Sequence, residues 1–141
     1  MMDGRWRAYD QPVRVLVVDD VARVRERMVG MLAEIAGVTG VFEADGIVTA
    51  IEALRARAPD VVVLDLHLNG ESGLTLATLV KRDRPDALLI VMTCQPTEPV
   101  RRLSEALGVD YFFDKSSAFE DVLRVVAEAV GPTRALATSD A

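Results

Sequence analysis

Three short runs of unbroken apolar residues constrain this chain more than any other feature. They are Val15-Leu16-Val17-Val18, Val61-Val62-Val63-Leu64 and Leu88-Leu89-Ile90-Val91-Met92. A strand with one face in water alternates polar and apolar residues. A strand with no polar position is covered on both faces, as in a parallel sheet held between two layers of helices. Each run stops at a polar residue: Asp19-Asp20 after the first, Asp65 after the second and Thr93 after the third.

The segments between the runs read as helices. Val21, Val24, Met28, Met31, Leu32 and Ile35 recur at spacings of three and four, with Arg23, Arg25, Glu26, Arg27 and Glu34 on the other face and Gly37 as a stop. Val41-Phe42-Glu43-Ala44 reads as a strand. Asp45 is placed to cap a helix from about Gly46 to Arg57, which Pro59 separates from the next strand. A loop from His67 to Glu71 leads to a helix from about Ser72 to Asp83, stopped by Pro85. A loop with Pro96 and Pro99 opens a helix that closes at Gly108. Tyr111-Phe112-Phe113 is a last short strand before Asp114-Lys115, and Ser117-Ala118-Phe119-Glu120 has the pattern of a capping box for a final helix ending near Gly131.

Five strand–helix units in alternation predict an α/β fold: a doubly wound, five-stranded parallel sheet with five helices. The three most apolar strands belong in the centre. The strands near Glu43 and Phe112 belong at the edges. The expected division is an N-terminal extension over 1–12, where Trp6 and Tyr9 can pack on the body, one domain over 13–131, and a flexible tail over 132–141.

Length and composition agree with one domain: 141 residues, half of them hydrophobic. The formal net charge of −6 disfavours direct nucleic-acid binding. A single cysteine, Cys94, makes no internal disulfide. No apolar run is long enough to span a bilayer, and the first twelve residues lack the apolar core of a signal peptide. A cytoplasmic protein without a membrane partner is expected.

Ligands of open parallel sheets bind beyond the carboxyl ends of the strands. That edge gathers Asp19, Asp20, Asp65, Thr93 and Lys115. Carboxylates held together repel, by about 4 kcal/mol at 4 Å and an effective dielectric near 20. Either one carboxyl stays protonated or a cation relieves that repulsion, and an all-oxygen donor set selects a hard cation, Mg2+ fitting best. Lys115 adds a second positive charge and Thr93 a hydroxyl donor, a set suited to a phosphoryl group in transfer. A carboxylate can itself accept that group. Singly, each residue is as well explained as a turn former, a cap or a solvated charge. The five together, each at a strand end, are not.

Through these motifs the chain resembles the receiver domains of two-component response regulators, and stand-alone ones in particular. The motifs are Leu16-Val17-Val18-Asp19-Asp20, Val63-Leu64-Asp65-Leu66-His67-Leu68 with Gly73 eight positions past Asp65, Val91-Met92-Thr93-Cys94, and Phe113-Asp114-Lys115. The resemblance covers about Val13 to Val130. It implies the flavodoxin-like strand order 2-1-3-4-5. It implies that Asp65 accepts a phosphoryl group from a histidine kinase or histidine phosphotransfer protein. Asp20 and Asp65 then bind Mg2+ with the backbone carbonyl of His67, and Asp19 acts through a metal-bound water. Lys115 pairs with the phosphoryl oxygens, and Thr93 turns inward to it with the switch aromatic, here Phe112. The modified form changes its binding of an unknown downstream protein. Such domains catalyse only their own phosphotransfer and dephosphorylation, and some pair as homodimers through helix 4, strand 5 and helix 5.

Several positions depart from that pattern. Ser116 replaces the usual proline, so the Lys115–Ser116 bond is expected trans. Phe112 replaces the common tyrosine. Cys94 is read as a small packing group beside the phosphoryl, and His67 and Gln95 as residues that tune its lifetime. Two other function classes compete. A phosphatase with an aspartate nucleophile needs a second Asp two positions on, where this chain has Val21 or His67. A phosphorylation-independent interaction module, or the receiver fragment of a DNA-binding regulator, remains as the alternative.

Overall fold

Strand β1 (Val13–Val18) lies between β2 (Val38–Ala44) and β3 (Val61–Asp65), and β4 (Leu88–Thr93) and β5 (Tyr111–Asp114) follow. All four pairings are parallel and the order is β2-β1-β3-β4-β5. This computed structural model describes residues 12–130. The proposed extension with Trp6 and Tyr9, the tail from 132 and the helix stop at Gly131 lie outside them. A two-residue hairpin, His67–Leu68 against Glu71–Ser72, stands apart from the sheet.

The apolar runs are buried on both faces, and their alternation divides the core. Val15, Val17, Val61, Val63, Ile90 and Met92 face one way. They pack against α1 (Ala22–Ala33) through Met28 and Leu32, and against α5 (Ala118–Val130) through Val122, Val125 and Val126. Leu16, Val18, Val62, Leu64, Leu89 and Val91 face the other way, onto Ala50 of α2 (Ile47–Arg57) and Leu76, Ala77 and Val80 of α3 (Gly73–Asp83). The remaining helix, α4 (Glu98–Ala106), buries Ser104 alone. The edge strands are β2 and β5, as expected.

Local boundaries differ from the sequence reading for identifiable reasons. Val21 precedes α1 and is 45% exposed, because its N–H is bound by Asp19 Oδ1 at 2.8 Å. Ile35 falls beyond the end of that helix. Gly37, at φ 98°, turns the chain straight into β2, which starts at Val38 and not at Val41. Helix α2 starts on Gly46, with Thr49 Oγ1 accepting from the Asp45 and Gly46 N–H groups, so Asp45 is not the cap residue. Pro99 lies inside the first turn of α4, where a missing N–H costs nothing. Helix α5 follows a 3-10 turn, Lys115–Ser117, whose cap is Asp114 in place of the Ser117 capping box. No described peptide bond is cis, and Lys115–Ser116 is trans.

Candidate functional site

The carboxyl edge of the sheet brings Asp19, Asp20, Asp65 and Lys115 together. One carboxylate oxygen from each aspartate lies within 4.8 Å of the others. Asp65 ends the central strand β3 and is 2% exposed; Asp19 is fully buried. Lys115 reaches in from the end of β5. Its Nζ is 2.7 Å from Asp65 Oδ2 and 3.0 Å from Asp19 Oδ2. It donates to Asp19 Oδ1 at 3.3 Å, while Asp19 Oδ2 is buried with no hydrogen bond among the described residues. The His67 N–H caps Asp65 Oδ1 at 3.0 Å.

Electrostatics leave this cluster short of positive charge. Burial raises the Asp19 carboxyl above the usual carboxylate range, against the Val21 N–H and Lys115, which lower it. Burial pulls the Lys115 ammonium down, but its bonds to Asp65 and Asp19 outweigh that and its net direction is up. One ammonium is shared by two buried carboxylates, with Asp20 beside them. The donors are all oxygen, and buried Asp19 Oδ2, though 3.0 Å from the Lys115 ammonium, accepts no hydrogen bond among the described residues. That set fits a hard divalent cation.

Three further residues fasten the loops that carry the cluster. Arg25 donates to the Asp19 carbonyl at 2.8 Å and to Glu43 at 2.8 Å, tying α1 to the ends of β1 and β2. Asn69, at the tip of the hairpin, gives its backbone N–H to Asp20 Oδ2 at 2.9 Å and its amide to the Asp45 carbonyl at 3.2 Å. Gly73 lies so close to β3 that a Cβ there would meet the Asp65 carbonyl oxygen at 2.6 Å. Asn69 escaped the sequence reading, which took His67 to Glu71 as plain loop. The Asn69-Gly70 pair, a strong hairpin signal, marks it in the sequence.

Thr93 ends β4, fully buried, with Oγ1 accepting from the Gln95 N–H at 3.1 Å. It lines a cavity of about 250 Å3 together with Leu66, His67, Leu74, Gln95 and Val100. The His67 and Gln95 side chains are exposed at its rim. Cys94 is also exposed, which corrects its reading as a packing group: β4 ends at Thr93 and the chain leaves the core there. Phe112 is half-buried against the α3 side of the core, with the Arg101 guanidinium 4.7 Å from its ring centre. The Arg101 contact has no signature in the sequence.

The response regulator receiver domain model matches residues 15–127. The chain belongs to that family. Receiver domains serve two-component phosphorylation signalling. This receiver is 31% identical over 123 residues to the response regulator GacA of Pseudomonas aeruginosa, a match covering 86% of this chain and 57% of GacA. It is 32% identical over 142 residues to protein-glutamate methylesterase/protein-glutamine glutaminase 5 of Anaeromyxobacter dehalogenans, covering 92% of this chain and 39% of that one. The chain thus spans well under two-thirds of these relatives. A CheY-like receiver domain protein of Methanospirillum hungatei superposes with a TM-score of 0.77 at 19% identity, over 85% of this chain and 94% of that one, a likeness of fold. Among the described residues no helix is long and apolar enough to cross a membrane.

Proposed function

We propose that this receiver accepts a phosphoryl group on Asp65 in the cytoplasm, from a phosphohistidine of a histidine kinase or histidine phosphotransfer protein. The modified form then changes its affinity for a downstream protein. One observation carries the reading: a nearly buried carboxylate ends the central strand within 2.7 Å of an ammonium and beside two further carboxylates.

In the transfer an Asp65 oxygen attacks phosphorus, the P–N bond breaks, and its electron pair returns to the imidazole. The group that fits the acidic cluster is Mg2+, which Asp20, Asp65 and the His67 carbonyl would hold, Asp19 contributing through a water. It neutralises phosphoryl charge when bound. Lys115 already faces Asp65 and pairs with the incoming oxygens. The Thr93 hydroxyl, which now only accepts, is free to donate to the phosphoryl. His67 and Gln95 stand over the same cavity and set how readily water reaches the acyl phosphate.

Phosphorylation adds about 1.5 to 2 negative charges and three acceptor oxygens. Thr93 and Lys115 respond to that charge. Their shift biases Phe112 and the face made by α4, β5 and α5, which we assign to the downstream partner or to a second copy. The test is intact mass after incubation with a small acyl phosphate and Mg2+, beside Asp65→Asn. Gain of one phosphoryl by the parent alone is expected. Equal gain by the Asn variant would remove Asp65 from the role. No gain from the small donor or from phosphorylated kinase would favour a phosphorylation-independent interaction module.

A further inference from the structure

The tip of the hairpin carries an arrangement that the phosphoacceptor reading does not need. Asn69 sits at φ 54° and Gly70 at φ 82°, the left-handed pair of a tight two-residue turn. Asparagine tolerates that conformation better than most residues. The turn aims the Asn69 N–H at Asp20 Oδ2, 2.9 Å away. The side-chain amide reaches back to the Asp45 carbonyl at 3.2 Å. One residue thus joins three loops of the carboxyl edge: β1–α1 through Asp20, β2–α2 through Asp45, and its own.

From this geometry we infer that Asn69 is the positioning residue of Asp20, fixing one carboxylate oxygen by a backbone hydrogen bond so that the other faces the cation. The inference rests on the reading of Asp20 as a Mg2+ ligand. Asp20 is only partly buried, and Asn69 supplies its one hydrogen bond among the described residues. An exposed carboxylate without that bond samples several rotamers, and a cation must then order it. A charge-assisted N–H bond orders it beforehand. Outer-shell partners of this kind carry roughly 10–100-fold in metal affinity. The essential group is the backbone N–H, which glycine retains and proline lacks. The side-chain bond to Asp45 braces the turn and is secondary.

The experiment compares Mg2+ affinity by calorimetry in the parent, Asn69→Gly and Asn69→Pro, with amide hydrogen exchange of the parent and Asp20→Ala. Asn69→Gly is expected to stay within about threefold of the parent, and Asn69→Pro to bind roughly tenfold more weakly or worse. The Asn69 amide is expected to be protected in the parent and to exchange at least tenfold faster in Asp20→Ala. That arm stands even if the proline variant misfolds. A parent that binds no Mg2+ would overturn the metal reading and this inference with it. A parent that binds Mg2+ alongside a folded Asn69→Pro of equal affinity, or an Asn69 amide indifferent to Asp20→Ala, would overturn the inference alone.

Discussion

Lys115 Nζ lies 2.7 Å from Asp65 Oδ2 and 3.0 Å from Asp19 Oδ2, so a single ammonium holds two buried carboxylates from neighbouring strands. Removing it leaves both without a counter-charge. Lys115→Ala is expected to lose about 2 kcal/mol of stability without divalent cation, the scale of hydrogen bonds to charged groups. Saturating Mg2+ should restore more stability to the variant than it adds to the parent, because the cation then supplies the missing positive charge. Thermal melts with and without Mg2+ decide this; identical increments in both proteins would mean that Lys115 and the cation do not share a role.

Two glycines make opposite predictions. A Cβ on Gly73 would meet the Asp65 carbonyl oxygen at 2.6 Å and Leu66 Cα at 2.8 Å, both backbone atoms that cannot swing aside. Gly73→Ala should therefore cost about 1–3 kcal/mol and slow phosphoryl uptake, since the strand end that moves carries Asp65. Gly30 is exposed in the last turn of α1 and a Cβ there meets nothing within 4 Å. Gly30→Ala should gain roughly 0.5–1 kcal/mol with uptake unchanged. Urea titration beside a phosphorylation time course measures both effects.

Which strands lie at the centre of the sheet, and the cluster at its carboxyl edge, were legible because burial on both faces writes itself into an unbroken apolar run; the strand order itself came only with the resemblance to receiver domains. Asp19, Asp65 and Thr93 are conspicuous because each interrupts one. What could not be read were contacts across loops. Arg25 looks like any residue on a solvated helix face, yet it holds the Asp19 carbonyl. Asp110 sits in a turn, yet its Oδ2 binds Lys81 and the Leu89 N–H, both at 2.8 Å. Neither partner is near in sequence. Local motifs misled where two caps competed. The Ser117 pattern is a good capping box, but Asp114 closes the preceding turn first.

Ser104 is the only fully buried residue of α4, and its hydroxyl finds no hydrogen-bond partner among the described residues. A buried hydroxyl without a hydrogen bond costs about 1–3 kcal/mol, and alanine is also the better helix former. Ser104→Ala should raise the melting temperature by roughly 3–5 °C, about 1 kcal/mol in a chain of this size. Differential scanning calorimetry at matched pH tests it. An unchanged or lower value would show that the hydroxyl has a partner, such as a bound water.

Asp114 connects stability to pH at the loop that presents Lys115. Its carboxylate accepts the Ser116 backbone N–H at 3.0 Å and the Ser116 hydroxyl at 2.8 Å. Those two bonds, the backbone one first, hold its pKa below the usual aspartate value. The folded state therefore prefers the charged form more than the unfolded chain does. The stabilisation is fully present above the unfolded value of about 3.9, and is lost as pH falls through the lower folded value. Asp114→Ala removes both bonds and with them this part of the acid dependence. Melts of parent and variant between pH 7 and pH 3 should show a constant gap down to about pH 4.5 that narrows below it. A gap that widens on acidification would mean that Asp114 is stabilised in its protonated form, contrary to the direction of its shift.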